Sequence, residues 1–236
     1  MTHLAFSWPG FIMTASIGWN SGVPESYVKT ILPTLLDIHL FGQCGFNLDG
    51  TPMKSSGGSS AGSALVDLGK AEACLDFKRS LKHVVSKVSA DSTLLRILMA
   101  PDDVILEQFL AEDFGATVQQ VKKAQNYLMK SQAGKEIRFQ ALKQELLLTS
   151  ELLILSARIG RSLIANGSKD DTKTVINVGV ANLPPTFRTD IANKALVLVE
   201  QYRALWLSRY EPQGMQSSLL VLSNLLNKFI PEGAQL

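Results

Sequence analysis

The chain has 236 residues, 46% hydrophobic and 19% charged, which is enough apolar material for one sizeable domain or two small ones and excludes a disordered chain. Its 23 basic and 21 acidic residues leave a formal net charge of +2, and its longest basic cluster is Lys122-Lys123, so nothing points to a nucleic-acid partner. The two cysteines, Cys44 and Cys74, make neither a disulfide framework nor a zinc spacing. Free thiols are expected, with Cys74 a small buried hydrophobe on a helix.

Met1 to Trp19 contains no Lys, Arg, Asp or Glu. It lacks the basic leading region of a signal peptide, and Trp8-Pro9-Gly10 interrupts its apolar run early. A segment this apolar is expected to be the inside of something larger. Ser7 is placed to cap a helix with Pro9 in its first turn, running to about Trp19; a strand over Phe11 to Ile17 is the competing reading. Asn20-Ser21-Gly22 then breaks the chain. Glu25 to Phe41 predicts a helix that Pro33 kinks or divides into two short pieces. Gly42 to Gly62, dominated by Gly, Ser, Pro and Asn, predicts a mobile surface loop.

Ala61 to Lys87 predicts a further helix, interrupted near Gly69. Asp91 to Met99 is a short amphipathic piece, and Pro101-Asp102-Asp103 is expected to open the next helix with acids at its positive end. Thr117 to Lys130 follows, with Thr117 as its cap. The longest element, Lys135 to Ala165, has no proline and would span about 46 Å at about 1.5 Å per residue. Leu142, Leu146, Leu148, Leu152, Leu153, Leu155 and Ile159 keep one broad face of it apolar, and Asn166-Gly167 is a stop signal. The sequon Asn166-Gly167-Ser168 would matter only in a secreted protein. Val175 to Val180 is a short β-prone run. Pro184-Pro185 precede a second long helix to about Tyr210, and Met215 to Phe229 gives the last. With strands nearly absent and no fixed-period repeat, the fold class is all-α: an irregular helical bundle with long antiparallel helices.

No phosphate loop, dinucleotide fingerprint or metal-type His/Cys cluster occurs, so no cofactor and no metal site is expected. His3, His39 and His83 are scattered. A Ser/His/Asp set assembled from Asp37, His39 and a serine lacks the nucleophile-elbow context. The adjacent acids Asp102-Asp103, Glu112-Asp113 and Asp170-Asp171 read as capping or solvated groups rather than a glycosidic carboxylate pair.

Four stretches, in order, resemble one family. Ser7-Trp8-Pro9-Gly10-Phe11 through Ala15-Ser16-Ile17-Gly18-Trp19-Asn20 resembles the last barrel helix of some bacterial-type glycoside hydrolase family 20 enzymes, the β-N-acetylhexosaminidases. Leu35-Leu36-Asp37-Ile38-His39-Leu40-Phe41-Gly42 is similar to the segment after it, and Ala64-Leu65-Val66-Asp67-Leu68-Gly69 to the next helix. Leu205-Trp206-Leu207-Ser208-Arg209-Tyr210-Glu211-Pro212-Gln213-Gly214-Met215 resembles the closing motif, with Tyr210 where Asn is usual and Met215 in place of Leu. The loop after Phe41 is also longer than the family pattern.

The resemblance implies a parent enzyme in which a Glu protonates the leaving oxygen while the substrate's own acetamido group attacks, oriented by an adjacent Asp. No Asp-Glu dipeptide occurs in this chain. It also begins just after the expected place of a sugar-binding Trp-Gly-acid motif. No catalytic residue is therefore expected, since a barrel's site is built from the carboxyl ends of its strands. Residues 1–22 would be the remnant of the last helix of a lost (β/α)8 barrel, and residues 23–236 a C-terminal α-helical domain. Its partner would be the barrel domain, with a homodimer surface also expected. N-acetylhexosamine glycans would be met only through the parent enzyme, with no nucleic acid and no membrane. Without a signal at this N-terminus the default compartment is the cytoplasm. The alternative is a free-standing helical interaction or scaffolding module.

Trp206, Arg209 and Tyr210 are the candidate substrate-binding residues, on the expectation that this cluster reaches a barrel mouth. The competing expectation is that Trp206 anchors a helix in the core and Arg209 satisfies carbonyls at the helix end.

Overall fold

A computed structural model describes residues 8–19, 21–41, 60–75, 92–106, 109–131, 137–169 and 175–230. The fold is all-α. Among the described residues the helices are α1 (Trp8–Trp19), α2 (Glu25–His39), α3 (Ala61–Gly69), α4 (Thr93–Met99), α5 (Ala111–Lys130), α6 (Ile137–Asn166), α7 (Pro185–Arg209) and α8 (Met215–Phe229). The sole ladder among them pairs β1 (Ser168–Lys169) with β2 (Val175–Ile176), antiparallel and two residues long. The chain forms two compact units, Met1–Gly69 with Val121–Ser150, and Lys70–Gln120 with Glu151–Leu236.

In the first unit α1 packs on α2, and α2 on α3. Val28, Leu32, Leu36 and Leu40 recur every fourth position and are all buried, which gives α2 one inward stripe. Of the two expected outcomes at Pro33, division into two pieces is not found: α2 continues through it as one helix. One missing amide removes one bond, while Leu32 and Leu36 on either side stay packed. Residues 42–59 of the expected loop lie outside the described residues, and α3 has already begun at Ala61, before Gly62. Ser60 Oγ accepts from the Ser63 amide at 3.0 Å and so caps α3. A carboxyl group serves the same helix end, for the Gly62 amide donates to Asp37 Oδ1 at 2.7 Å. Gly62 is needed there, because a Cβ would overlap the Pro33 carbonyl oxygen. Within this unit Gln125 donates to Ser150 Oγ at 2.8 Å and Lys143 Nζ to the Met129 carbonyl at 3.5 Å, so these stretches of α5 and α6 run antiparallel.

In the second unit Arg158 meets Asp190 at 2.6 Å and Glu151 meets Lys194 at 2.7 Å. The rising and falling numbers make α6 and α7 antiparallel as well. A tight connection through Gly214, in the left-handed region at φ +81°, returns α8 along α7. Arg188, near the start of α7, donates to the Ile230 carbonyl just past α8 at 3.2 Å, which fixes the same sense. Ile191, Ala195, Leu198, Tyr202 and Leu205 form the inward stripe of α7, and Leu219, Leu222, Leu226 and Phe229 that of α8.

The interruption expected near Gly69 is found: α3 stops at Gly69, a 3-10 turn follows at Glu72–Cys74, and residues 76–91 lie outside the described residues. Two other boundary expectations are corrected. Pro101-Asp102-Asp103 opens no α-helix but forms a single 3-10 turn, because the Asp102 carboxylate is taken by distant partners. Helix α5 starts at Ala111, six residues before Thr117. Its start is held by Asp113, whose carboxylate reaches back to the Leu110 amide at 2.7 Å. Thr117 lies fully buried inside the helix, its hydroxyl donating to the Asp113 carbonyl at 3.1 Å.

The 3-10 turn at Glu72 positions α4. The Glu72 carboxylate accepts from Ser92 Oγ at 2.9 Å and from the Thr93 amide at 2.6 Å. Ser156 of α6 donates to the Leu94 carbonyl at 2.6 Å. Where α4, α5 and α6 meet, Gly160 lies directly against Phe114 and Ile97, both buried.

Candidate functional site

The carboxyl end of α7 gathers three aromatic side chains. Tyr202, Trp206 and Tyr210 follow one another at four-residue spacing, so they stack along one side of the helix. The Tyr202 and Trp206 ring centroids lie 5.8 Å apart at 41°, and those of Trp206 and Tyr210 lie 5.1 Å apart at 45°. Tyr202 is buried, Trp206 half-buried, and Tyr210 exposed. The indole Nε1 donates to the Glu211 carbonyl at 2.8 Å, which locks Trp206 to the turn beyond the helix. The Arg209 guanidinium lies 5.8 Å from the Tyr210 ring centroid, a cation–π distance.

The structure thus brings Trp206, Arg209 and Tyr210 together. The indole sits between two tyrosine rings and is tied to backbone, an arrangement that anchors the helix end. Arg209 and Tyr210 are the members that solvent reaches.

The other polar candidates are dispersed. Asp37 is engaged at the start of α3, and burial pushes its carboxyl up despite the opposing bonds from Ser60 and Gly62. His39 is exposed at the end of α2, while His3 and His83 lie outside the described residues. Asp102 accepts from the Val180 amide at 2.7 Å and from Lys228 at 2.6 Å. Asp113 caps α5, Glu112 is exposed, and Asp170-Asp171 lie outside the described residues.

Cys74 carries a free thiol in the 3-10 turn, half-buried rather than on an α-helix. Burial pushes that thiol up, and the nearby Asp113 charge adds to the effect against the Thr117 hydrogen bond. Cys44 lies outside the described residues. Among the described residues no group of three or more His, Cys, Asp or Glu side chains is placed to hold a metal ion.

Two polar groups passed over in the sequence turn out to organise the second unit. One is Glu72. The other is Asn177, whose side-chain nitrogen donates to the Pro101, Asp102 and Val104 carbonyls at 2.9, 3.2 and 3.0 Å. Only the turn-forming habit of Asn hinted at this, and it names no distant partner.

Helix α1 exposes large apolar side chains. Ile12 is buried, but Phe11 is 58% exposed and Trp19 94%. No described helix is long and apolar enough to cross a membrane.

Family models, curated proteins and solved structures give no match to the chain.

Proposed function

We propose that this chain is a helical supporting domain of a β-N-acetylhexosaminidase-like glycosidase. It packs on a catalytic barrel and supplies no acid or nucleophile itself. The observation that carries the reading is the outward side of α1. Phe11 and Trp19 stand in solvent on a helix with no charged residue, in the stretch that resembles a last barrel helix. Burying such surface against a neighbouring domain is favourable by about 25 cal/mol per Å² of apolar area.

The ordered motifs from Ser7 to Met215 support the same reading. The sequence holds no Asp-Glu dipeptide, which fits a structural rather than a catalytic share. In this reading Trp206 and its tyrosines hold the closing motif in shape, with Arg209 and Tyr210 turned toward whatever the motif meets.

The test is the mass of the native protein in its source cells, joined to an assay on p-nitrophenyl N-acetyl-β-glucosaminide. The expected result is a polypeptide longer by about 250 residues, the size of a barrel. It should hydrolyse that substrate while the 236-residue chain does not. A native mass equal to this chain overturns the proposal and leaves the free-standing interaction module.

A further inference from the structure

Helix α7 has a second ordered side, opposite its buried stripe. Leu196, Glu200, Arg203 and Leu207 follow at spacings of four, three and four, so they lie along one line of the helix surface. All four face solvent: Leu196 is 40% exposed and Leu207 51%. Arg203 meets Glu200 at 3.0 Å, with both side chains about half exposed.

This line is its own mirror in one particular sense. Leu196 and Leu207 are equally distant from the midpoint between Gln201 and Tyr202, and so are Glu200 and Arg203. The same stripe turned end for end therefore presents leucine to leucine and each acid to a base. A closed two-fold interface demands this self-complementarity, in which residue i meets j and j meets i.

The geometry points to a second copy of this chain as the partner of α7. The two α7 helices run antiparallel, Leu196 on Leu207 of the other copy at each end, and Glu200 on Arg203 of the other copy between them. An exposed ion pair within one helix contributes little, because solvent screens it and side-chain freedom is lost. In the dimer each carboxylate gains a second guanidinium, and the flanking leucines keep water from the four charges. The charges set sense and register, which an apolar surface such as that of α1 cannot do. The inference needs no barrel and is independent of the function proposed above.

Sedimentation of the full chain over a wide concentration range tests it. The expected species is a dimer in reversible exchange with monomer. Glu200→Arg places four like charges along the seam and should weaken the dimer by about tenfold or more. Leu207→Ser should weaken it as well by removing both apolar ends. The decisive variant is the double exchange E200R/R203E, which restores the complementarity and should restore the dimer. Circular dichroism verifies that each variant keeps its helices.

A chain that stays monomeric at every concentration overturns the inference. So does a dimer that E200R and Leu207→Ser leave unmoved, since it would use another surface. A helical double variant that fails to regain the dimer overturns it too. Should E200R alone misfold, Leu207→Ser and the double exchange still decide.

Discussion

Asp102 and Lys228 stand 126 positions apart in the chain and 2.6 Å apart in space, carboxylate oxygen to ammonium. Burial pushes the Asp102 carboxyl up, but the hydrogen bond from Lys228, the Val180 amide and the Lys228 charge outweigh it and hold the group below its ordinary 3.8. The folded state therefore binds this proton less readily than the unfolded chain. The stabilisation is present above the unfolded value and is lost as pH falls through the folded one.

With both side chains more than a third exposed, screening keeps the contribution modest. Asp102→Asn should cost about 1 kcal/mol at neutral pH and nothing once the parent carboxyl is protonated. Urea midpoints of both proteins at neutral and strongly acid pH check this. A gap that persists unchanged in acid counts against it.

Asp37 is the opposite case. Burial raises its carboxyl above 3.8 against the bonds from Ser60 and Gly62. A raised value means that stability is fullest below the unfolded value and declines as pH climbs through the folded one. Asp37→Asn keeps an oxygen for the Gly62 amide without the buried charge. It should match or slightly exceed the parent at neutral pH, whereas Asp37→Ala should lose about 1 kcal/mol. Thermal unfolding of the pair decides, and equal losses in both variants would contradict the burial argument.

Gly160→Ala should destabilise even though alanine is the better helix former by about 1 kcal/mol. A Cβ there would come within 2.7 Å of Phe114 Cζ and 2.9 Å of Ile97 Cδ1, both side chains fully buried. Overpacking of this kind costs about 1–3 kcal/mol beyond the propensity gain. A urea midpoint that rises on substitution would show that Phe114 turns aside freely.

Trp206→Ala should cost about 2 kcal/mol, less than a fully buried tryptophan, because the indole is only half-buried. Trp206→Phe keeps a ring between Tyr202 and Tyr210 but loses the donor to the Glu211 carbonyl, so its cost should be about 1 kcal/mol. Denaturant titration of both variants separates the stacking from the hydrogen bond.

Helix periodicity was legible where local signals agreed. Pro184-Pro185 at the start of α7, Asn166-Gly167 at the end of α6, and the apolar run of α8 all mark their elements, and Met215 to Phe229 is found at both predicted ends. The misjudged boundaries share one cause: their partners are remote or point backward. Asp102 looks like a helix opener until Val180 and Lys228 claim it. Thr117 looks like a cap until Asp113 is seen reaching back to Leu110. Pro33 looks like a divider because the sequence does not weigh the buried leucines around it. Of the candidate site, the four-residue spacing of the aromatics was visible. The lock from Trp206 to Glu211 was not, because it depends on how the chain turns after α7.

The two compact units are threaded through one another in chain order: the first takes an opening stretch and a middle one, and the second takes what lies between and after. A ribosome releasing this chain finishes neither unit before it has begun the other. Helices α1 to α3 leave the ribosome before Val121–Ser150 does, and by then the first stretch of the second unit is already outside. Folding one domain at a time, the usual economy of nascent chains, is thus closed to it. No single cut can excise either unit whole, and a protease that nicks the chain once between Lys70 and Ser150 leaves pieces that each hold parts of both.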